Sequence, residues 1–278
     1  MVVAAALIAS GLWGAADFIG GTLSRRYAAL AVAGAAQGVG FLFLLLILAG
    51  LGGTASWSIG AVAWGLLAGL CAITGLTLMY TALATGVMGV VSPIIAMSAI
   101  VPVGAGIAFG EMPRAVQMGG IAACLVGIVL VTRSPTAMSD IALGRRPLLL
   151  AGLAATTFGG SLVFLALGSG YDPLVATMSM RGAAAAFALV AAVFASGARG
   201  LDRRSTLPVV ALGALDAGAY LAFGWASAAG HLASVSILSA LYPLETAFLA
   251  FVVHHERLRR QQLVGVGFVI AGVVALVA

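Results

Sequence analysis

The sequence predicts an all-α membrane protein of ten transmembrane helices, arranged as two inverted five-helix repeats. Three observations predict it. Hydrophobic residues make up 63% of the 278 residues and charged residues only 8%, against about a quarter charged in soluble domains. That is too little polar side chain to cover a globular surface, so lipid must be the solvent. The apolar runs are long enough to cross a bilayer core, which takes about 20 residues each. The second half of the chain also repeats the pattern of the first.

Arginine clusters and turn residues divide the runs. The first span covers 2–21 and stops before Arg25 and Arg26; the second covers 29–49. The third covers 59–83, the fourth 87–109 and the fifth 115–132, with Glu111 to Arg114 between the last two. The longest connector, "RSPTAMSDIALGRRP" (133–147), falls at the midpoint. Beyond it lie spans at 148–169, 173–196, 207–229, 232–253 and 261–277. None shows the polar/apolar alternation of a β-barrel strand, and helices satisfy their own backbone groups in lipid. The 38 glycines suit close helix contacts.

The repeat is visible in residues. "EMPRAVQMGGIAACLVGIVLV" (111–131) aligns with "ERLRRQQLVGVGFVIAGVVAL" (256–276). Glu111, Gln117, Gly120 and Gly127 fall on Glu256, Gln262, Gly265 and Gly272. "ATGVMGVVS" (84–92) resembles "AAGHLASVS" (228–236), and "GLWG" (11–14) meets "TTFG" (156–159). The expected units are therefore 1–132, a connector at 133–147, and 148–278. An odd number of spans per copy means opposite insertion, the inverted-repeat plan of many secondary transporters.

The formal charge of +5 comes with thirteen basic residues, all arginine and mostly in short loops. That distribution fits orientation in a membrane, not a nucleic-acid surface. Cys71 and Cys124 lie inside apolar runs, so no disulfide framework is indicated. The first run lacks a basic leader and more spans follow, so it reads as a span and not as a cleaved signal.

"GLWGAADF" (11–18) resembles the LWG-x-x-x-F opening of the EamA-type drug/metabolite transporters. Each half also has a span ending in glutamate before a Gly-rich span: "AIVPVGAGIAFGE" (99–111) and "YPLETAFLAFVVHHE" (242–256). The resemblance covers nearly the whole chain. It implies a ten-helix fold, a central cavity between the halves, and export of small metabolites such as amino acids or drugs. Relatives often carry Arg early in the second span of each repeat. Arg181 fits in the second half, but Ala36 and Gln37 stand there in the first.

Asp17, Arg181, Asp216 and Glu245 are the charged residues within spans. A charge at mid-bilayer on a lipid-facing surface costs about 2.5–3.5 kcal/mol on insertion scales. Such residues therefore face the interior, a partner or a wet cavity. Trp13 and Asp17 are four apart, as are Asp216 and Tyr220; Tyr242 and Glu245 are three apart. Each pair shares a helix face. With Tyr80, these residues form a candidate binding site for an amine-bearing or aromatic solute, since carboxylates and ring faces both attract cations. Asp17, Asp216 and Glu245 are also candidate proton carriers, and Arg181 a candidate ion-pair partner that would lock helices together. Pro93, Pro102 and Pro243 lie inside spans four and nine, where a bend could serve as a gate.

The expected function is secondary transport of a small organic solute, most naturally export of amino acids or related metabolites by alternating access. No ATP-binding motif, cofactor or metal site is expected; "HHER" (254–257) has no further ligands close in sequence. The partners are the solute and the bilayer, with the chain a monomer or weak oligomer in a bacterial-type inner membrane. The rival reading is an intramembrane hydrolase built on Ser161 and His231, but no G-x-S-x-G elbow is present.

Orientation gives two conflicting expectations. Arg25, Arg26, Arg133, Arg145, Arg146, Arg199, Arg203, Arg204, Arg257, Arg259 and Arg260 fall in loops on one side, and only Arg114 on the other. Positive loops stay in the cytoplasm, so both termini should face outward. The family resemblance argues for cytoplasmic termini.

Overall fold

The computed structural model describes the chain except for residues 25, 86–93, 96, 133–144, 195–200, 243, 246–247, 250–251, 253–259 and 278. Some helical side chains, among them that of Tyr80, are also outside the described set. The described residues form helices and short links, with no strand among them. The helices are α1 (Val2–Ser24), α2 (Ala29–Gly50), α3 (Ile59–Thr85), α4 (Ile100–Ala108), α5 (Ala115–Thr132), α6 (Arg145–Ser169), α7 (Pro173–Phe194), α8 (Thr206–Ala229), α9 (Leu232–Ser239) and α10 (Arg260–Val277). Six of them, α1, α2, α3, α6, α7 and α8, are long and apolar enough to cross a membrane. Large apolar side chains such as Leu46, Leu149, Leu189 and Val274 point outward, as lipid permits and water would not.

Spans four and nine differ from the sequence expectation. Span four is broken by a 3-10 turn at Met97–Ala99 before α4 begins. Pro102 therefore sits in the first turn of α4, where proline is tolerated, and does not bend a helix interior. Its missing N–H would otherwise bond Ser98, whose carbonyl is pressed against Gly159 of α6. Span nine stops as a regular helix at Ser239 and turns at Ala240 and Leu241. In sequence, Pro243 follows four residues later and can offer Ser239 no donor. Pro93 and Pro243 themselves lie outside the described residues.

Helices of the first half pack on helices of the second. The main pairings are α1 with α8, α3 with α6 and α7, α2 with α7 and α8, α4 with α9, and α5 with α10. Exchanging each helix for the one five places along leaves this set unchanged. Small residues allow these contacts. A methyl added at Gly272 would lie 2.7 Å from Gly120 O, and one at Gly127 would lie 2.7 Å from Gly265 O. Those four glycines are the repeated pair of the sequence motif. They meet in descending register, so α5 and α10 run antiparallel. A methyl at Gly213 of α8 would meet Ala36 O and Val39 Cβ of α2, and one at Gly69 of α3 would meet the matching Met180 and Ala183 of α7. In lipid, where apolar surface gains little from hiding, such backbone approach is a main source of helix association.

Loop contacts tie the halves at both ends. Tyr27 Oη, between α1 and α2, donates to Asp202 Oδ1, between α7 and α8, at 2.7 Å. That bond holds the Asp202 carboxyl below the usual carboxylate range and pushes the Tyr27 phenol up. At the opposite end, Asp172 Oδ2 accepts from the Ser56 backbone N–H at 2.8 Å, while its Oδ1 accepts from Val175 N and caps α7.

Candidate functional site

The charged residues of the spans converge on the place where α1, α2, α7, α8 and the chain beyond α9 meet. Arg181, on α7, is fully buried. Its Nη1 donates to Asp216 Oδ2 of α8 at 2.7 Å and to Gln37 Oε1 of α2 at 2.5 Å. Its guanidinium carbon lies 4.5 Å from the centroid of the Tyr220 ring, one turn along α8 from Asp216. A cation over a ring face gains electrostatic attraction, the more so away from water.

Tyr220 continues into an aromatic cluster. Its ring meets Trp13 of α1 edge-on at 4.8 Å. Trp13 also contacts Phe223 at 5.9 Å and Tyr242 at 6.3 Å. Such edge-to-face arrangements suit the ring quadrupoles. Three residues on from Tyr242, Glu245 Oε1 accepts from Ser10 Oγ of α1 at 3.1 Å. Nearby, Ser239 Oγ donates to Ala6 O at 3.3 Å, so α9 is pinned to α1.

Asp17 lies one turn beyond Trp13 on α1. Protein atoms surround it densely, yet it remains open to solvent, and it is within electrostatic reach of Asp216, Tyr220 and Tyr242. Those neighbours put its opening inside the bundle, away from lipid. Asp216 is also partly open, its side chain 20% exposed. Three buried polar atoms here have no hydrogen-bond partner among the described residues: Arg181 Nε, Arg181 Nη2 and Glu245 Oε2. Leaving such groups unpaired is costly, and they are the atoms a polar solute or water could satisfy.

The residues expected from the sequence thus separate into groups. Trp13, Asp17, Arg181, Asp216, Tyr220, Tyr242 and Glu245 come together. Asp216 is engaged by Arg181, so it serves the helix-locking role as well as lining the cluster. The side chain of Tyr80 and both Pro93 and Pro243 are outside the described residues, while Pro102 is buried at the start of α4. Ser161 Oγ donates to Phe158 O at 2.7 Å, and His231 is exposed just before α9; no contact joins them. The pair a hydrolase needs is not formed. Among the described residues no cluster of His, Cys, Asp or Glu is placed to hold a metal.

Two participants escaped the sequence reading. Gln37 stood out only because relatives often have Arg there, and its bond to Arg181 spans 144 residues. Glu111 stood out only as a repeated residue; its carboxylate accepts from Leu232 N at 2.5 Å and Ala233 N at 2.9 Å. An apolar groove of about 510 Å³ opens between α1, α2, α7 and α8 past Ile8, Leu51, Pro173 and Trp225. It contains none of the polar cluster.

Residues 145–278 match the EamA-like transporter family. A solved structure titled only "Crystal structure of protein" superposes with a TM-score of 0.82 at 14% identity, covering 99% of this chain and 95% of that one. At that identity the likeness concerns the fold. No curated protein gives a significant match.

Proposed function

From the match of residues 145–278 to the EamA-like transporter family we propose that this chain is a transporter of that kind and moves a small amine-bearing solute, such as an amino acid, through the cluster around Trp13. The observation that carries the proposal is a solvent-open Asp17 within electrostatic reach of Asp216, Tyr220 and Tyr242, one turn from Trp13, inside an apolar bundle. Rings and carboxylates attract the amine. The unpaired Nε and Nη2 of Arg181 form the edge of a guanidinium that suits a carboxylate. An amino acid carries both groups.

The mechanism proposed is alternating access by two inverted five-helix repeats, 1–132 and 148–278, joined by the connector 133–147. Its support is the set of helix pairings, which exchange of the halves leaves unchanged. The breaks in spans four and nine, near Pro93, Pro102 and Pro243, are the proposed moving parts. Carboxylates in transporters commonly relay protons, and Asp17 and Glu245, which have no cation partner among the described ion pairs, are the proposed carriers.

The direct test is flux into proteoliposomes across a panel of amino acids and simple amines. Saturable accumulation of unchanged solute is expected; a chemically altered solute, or no flux for any member, overturns the proposal.

Export from a bacterial-type inner membrane is proposed from the family likeness, and both termini outward from the arginine bias. A single Cys beside Arg146 should then resist a membrane-impermeant thiol reagent in intact cells. Labelling as fast as an external control would put the termini in the cytoplasm.

A further inference from the structure

Glu111 follows α4 directly. Gly110, at φ +96°, turns the chain there, and Glu111 N donates back to Gly106 O at 3.0 Å. A residue with a side chain would be strained at that φ. The turn lays the Glu111 carboxylate over Gly106 and against the start of α9. Its two oxygens take the backbone N–H groups of Leu232 and Ala233. These are first-turn donors with no partner inside the helix, and a negative charge there is favoured by the helix dipole. His231, at the N-cap, supplies no side-chain cap of its own. A methyl at Gly106 would lie 2.6 Å from Glu111 Oε2 and 3.1 Å from Ala233 N, so only glycine permits this approach.

The contact joins different halves of the chain. Glu111 belongs to the first, whereas α9 belongs to the second and leads to Tyr242 and Glu245. Beside the contact is a polar pocket of about 250 Å³ lined by Glu111, Arg114, Gln117, His231 and Ser234. Water in that pocket can compete for the carboxylate, so the clasp is openable as well as strong.

We propose that Glu111 is the latch of one gate: it holds α9 against α4 and closes the solute cluster toward the membrane face that carries the α4–α5 corner. This inference rests on the transport reading. Release of solute toward that face requires Glu111 to let go of Leu232 and Ala233, after which α9 swings and carries Tyr242 and Glu245 with it. Glu111 is a positioning residue in this scheme and does not touch the solute.

The test uses full-length protein in proteoliposomes with Cys71 and Cys124 replaced by alanine. Ser236→Cys, buried on α9, reports opening near the latch. Thr22→Cys, exposed toward the other end of α1, is the reference. Glu111→Gln loses the charge and one acceptor oxygen, and a charge-assisted bond is worth roughly tenfold in an equilibrium. The labelling rate at position 236 with an impermeant thiol reagent should rise about tenfold, with the rate at position 22 unchanged. Gly106→Ala, which pushes on the same carboxylate, should act in the same direction and covers the case in which the Glu111 variant folds poorly. Equal acceleration at both reporters would make Glu111 a simple structural cap, and no acceleration at position 236 would also overturn the latch. Selective acceleration at 236 in a protein that moves no solute would keep the latch and sink the transport reading instead.

Discussion

Arg181 and Gln37 occupy matching positions in the two halves, 144 residues apart, and they touch: Arg181 Nη1 donates to Gln37 Oε1 at 2.5 Å. The flanking contacts match too, since Gly69 faces Met180 and Ala183 as Gly213 faces Ala36 and Val39. The likeness ends at the acid. The residue matching Asp216 in the first half is Ala72. A nearly symmetric crossing therefore carries charge on one side only: the Arg181–Asp216 ion pair joins α7 to α8 within the second half, and Gln37 and Ala72 form no matching ion pair in the first.

Breaking that pair from one side should be costly. Removing one member of a buried ion pair commonly costs about 3–5 kcal/mol, while replacing both with apolar residues can be neutral. Asp216→Asn should lower stability in detergent by about 3 kcal/mol, because the buried Arg181 keeps its charge and loses the anion that balances it. The double variant Arg181→Met with Asp216→Leu should recover most of that stability while remaining inactive. A stable Asp216→Asn protein would mean that Gln37 alone satisfies Arg181.

Trp13 is 9% exposed and packs on three rings, so its truncation cannot be read as a pure loss of solute contact. Trp13→Ala should cost about 3–5 kcal/mol in stability, the usual range for a buried aromatic. Trp13→Phe should keep most of the packing and weaken apparent solute affinity severalfold. Thermal stability and uptake kinetics measured on both variants separate the two effects. Unchanged uptake in the Phe variant would make Trp13 a packing residue only.

The α5–α10 seam offers a clean contrast. A methyl at Gly272 would lie 2.5 Å from Cys124 Sγ and 2.7 Å from Gly120 O, whereas one at Gly267 meets nothing within 4 Å. Gly272→Ala should destabilise by about 1–3 kcal/mol, as overpacking does, and Gly267→Ala should be neutral or slightly stabilising. Equal melting temperatures for the two variants would show that the seam is looser than this geometry.

Much of the fold was legible because lipid allows few solutions. A chain with 8% charged residues and long apolar runs without polar/apolar alternation reads as helical in the bilayer, and the Gly120/Gly127 and Gly265/Gly272 spacing marked the repeat, though not the contact these glycines make. Trp13, Asp216, Tyr220 and Glu245 stood out for a related reason: polar and aromatic groups on one helix face need an interior. What stayed hidden depended on partners far away in sequence. Nothing near Glu111 indicates that its carboxylate will cap a helix 121 residues on. Nothing near Gln37 indicates Arg181. The short α4 was hidden for another reason: Pro102 fits a first turn as well as a kink, and hydropathy does not distinguish them.

Solute passage through the Trp13 cluster is tested most directly by flux in proteoliposomes carrying wild-type protein, Asp17→Asn or Glu245→Gln, each matched for folded protein by its melting temperature. Asp17 is the solvent-open acid of the cluster, and Glu245 holds one oxygen on Ser10 and leaves the other unpaired. Both substitutions keep side-chain volume and remove the charge that an amine or a proton would meet. Wild-type protein should accumulate an amino acid or amine saturably, and each variant should lose at least about tenfold in flux, the equivalent of about 1.4 kcal/mol. Wild-type flux in both well-folded variants would contradict a binding site at this cluster.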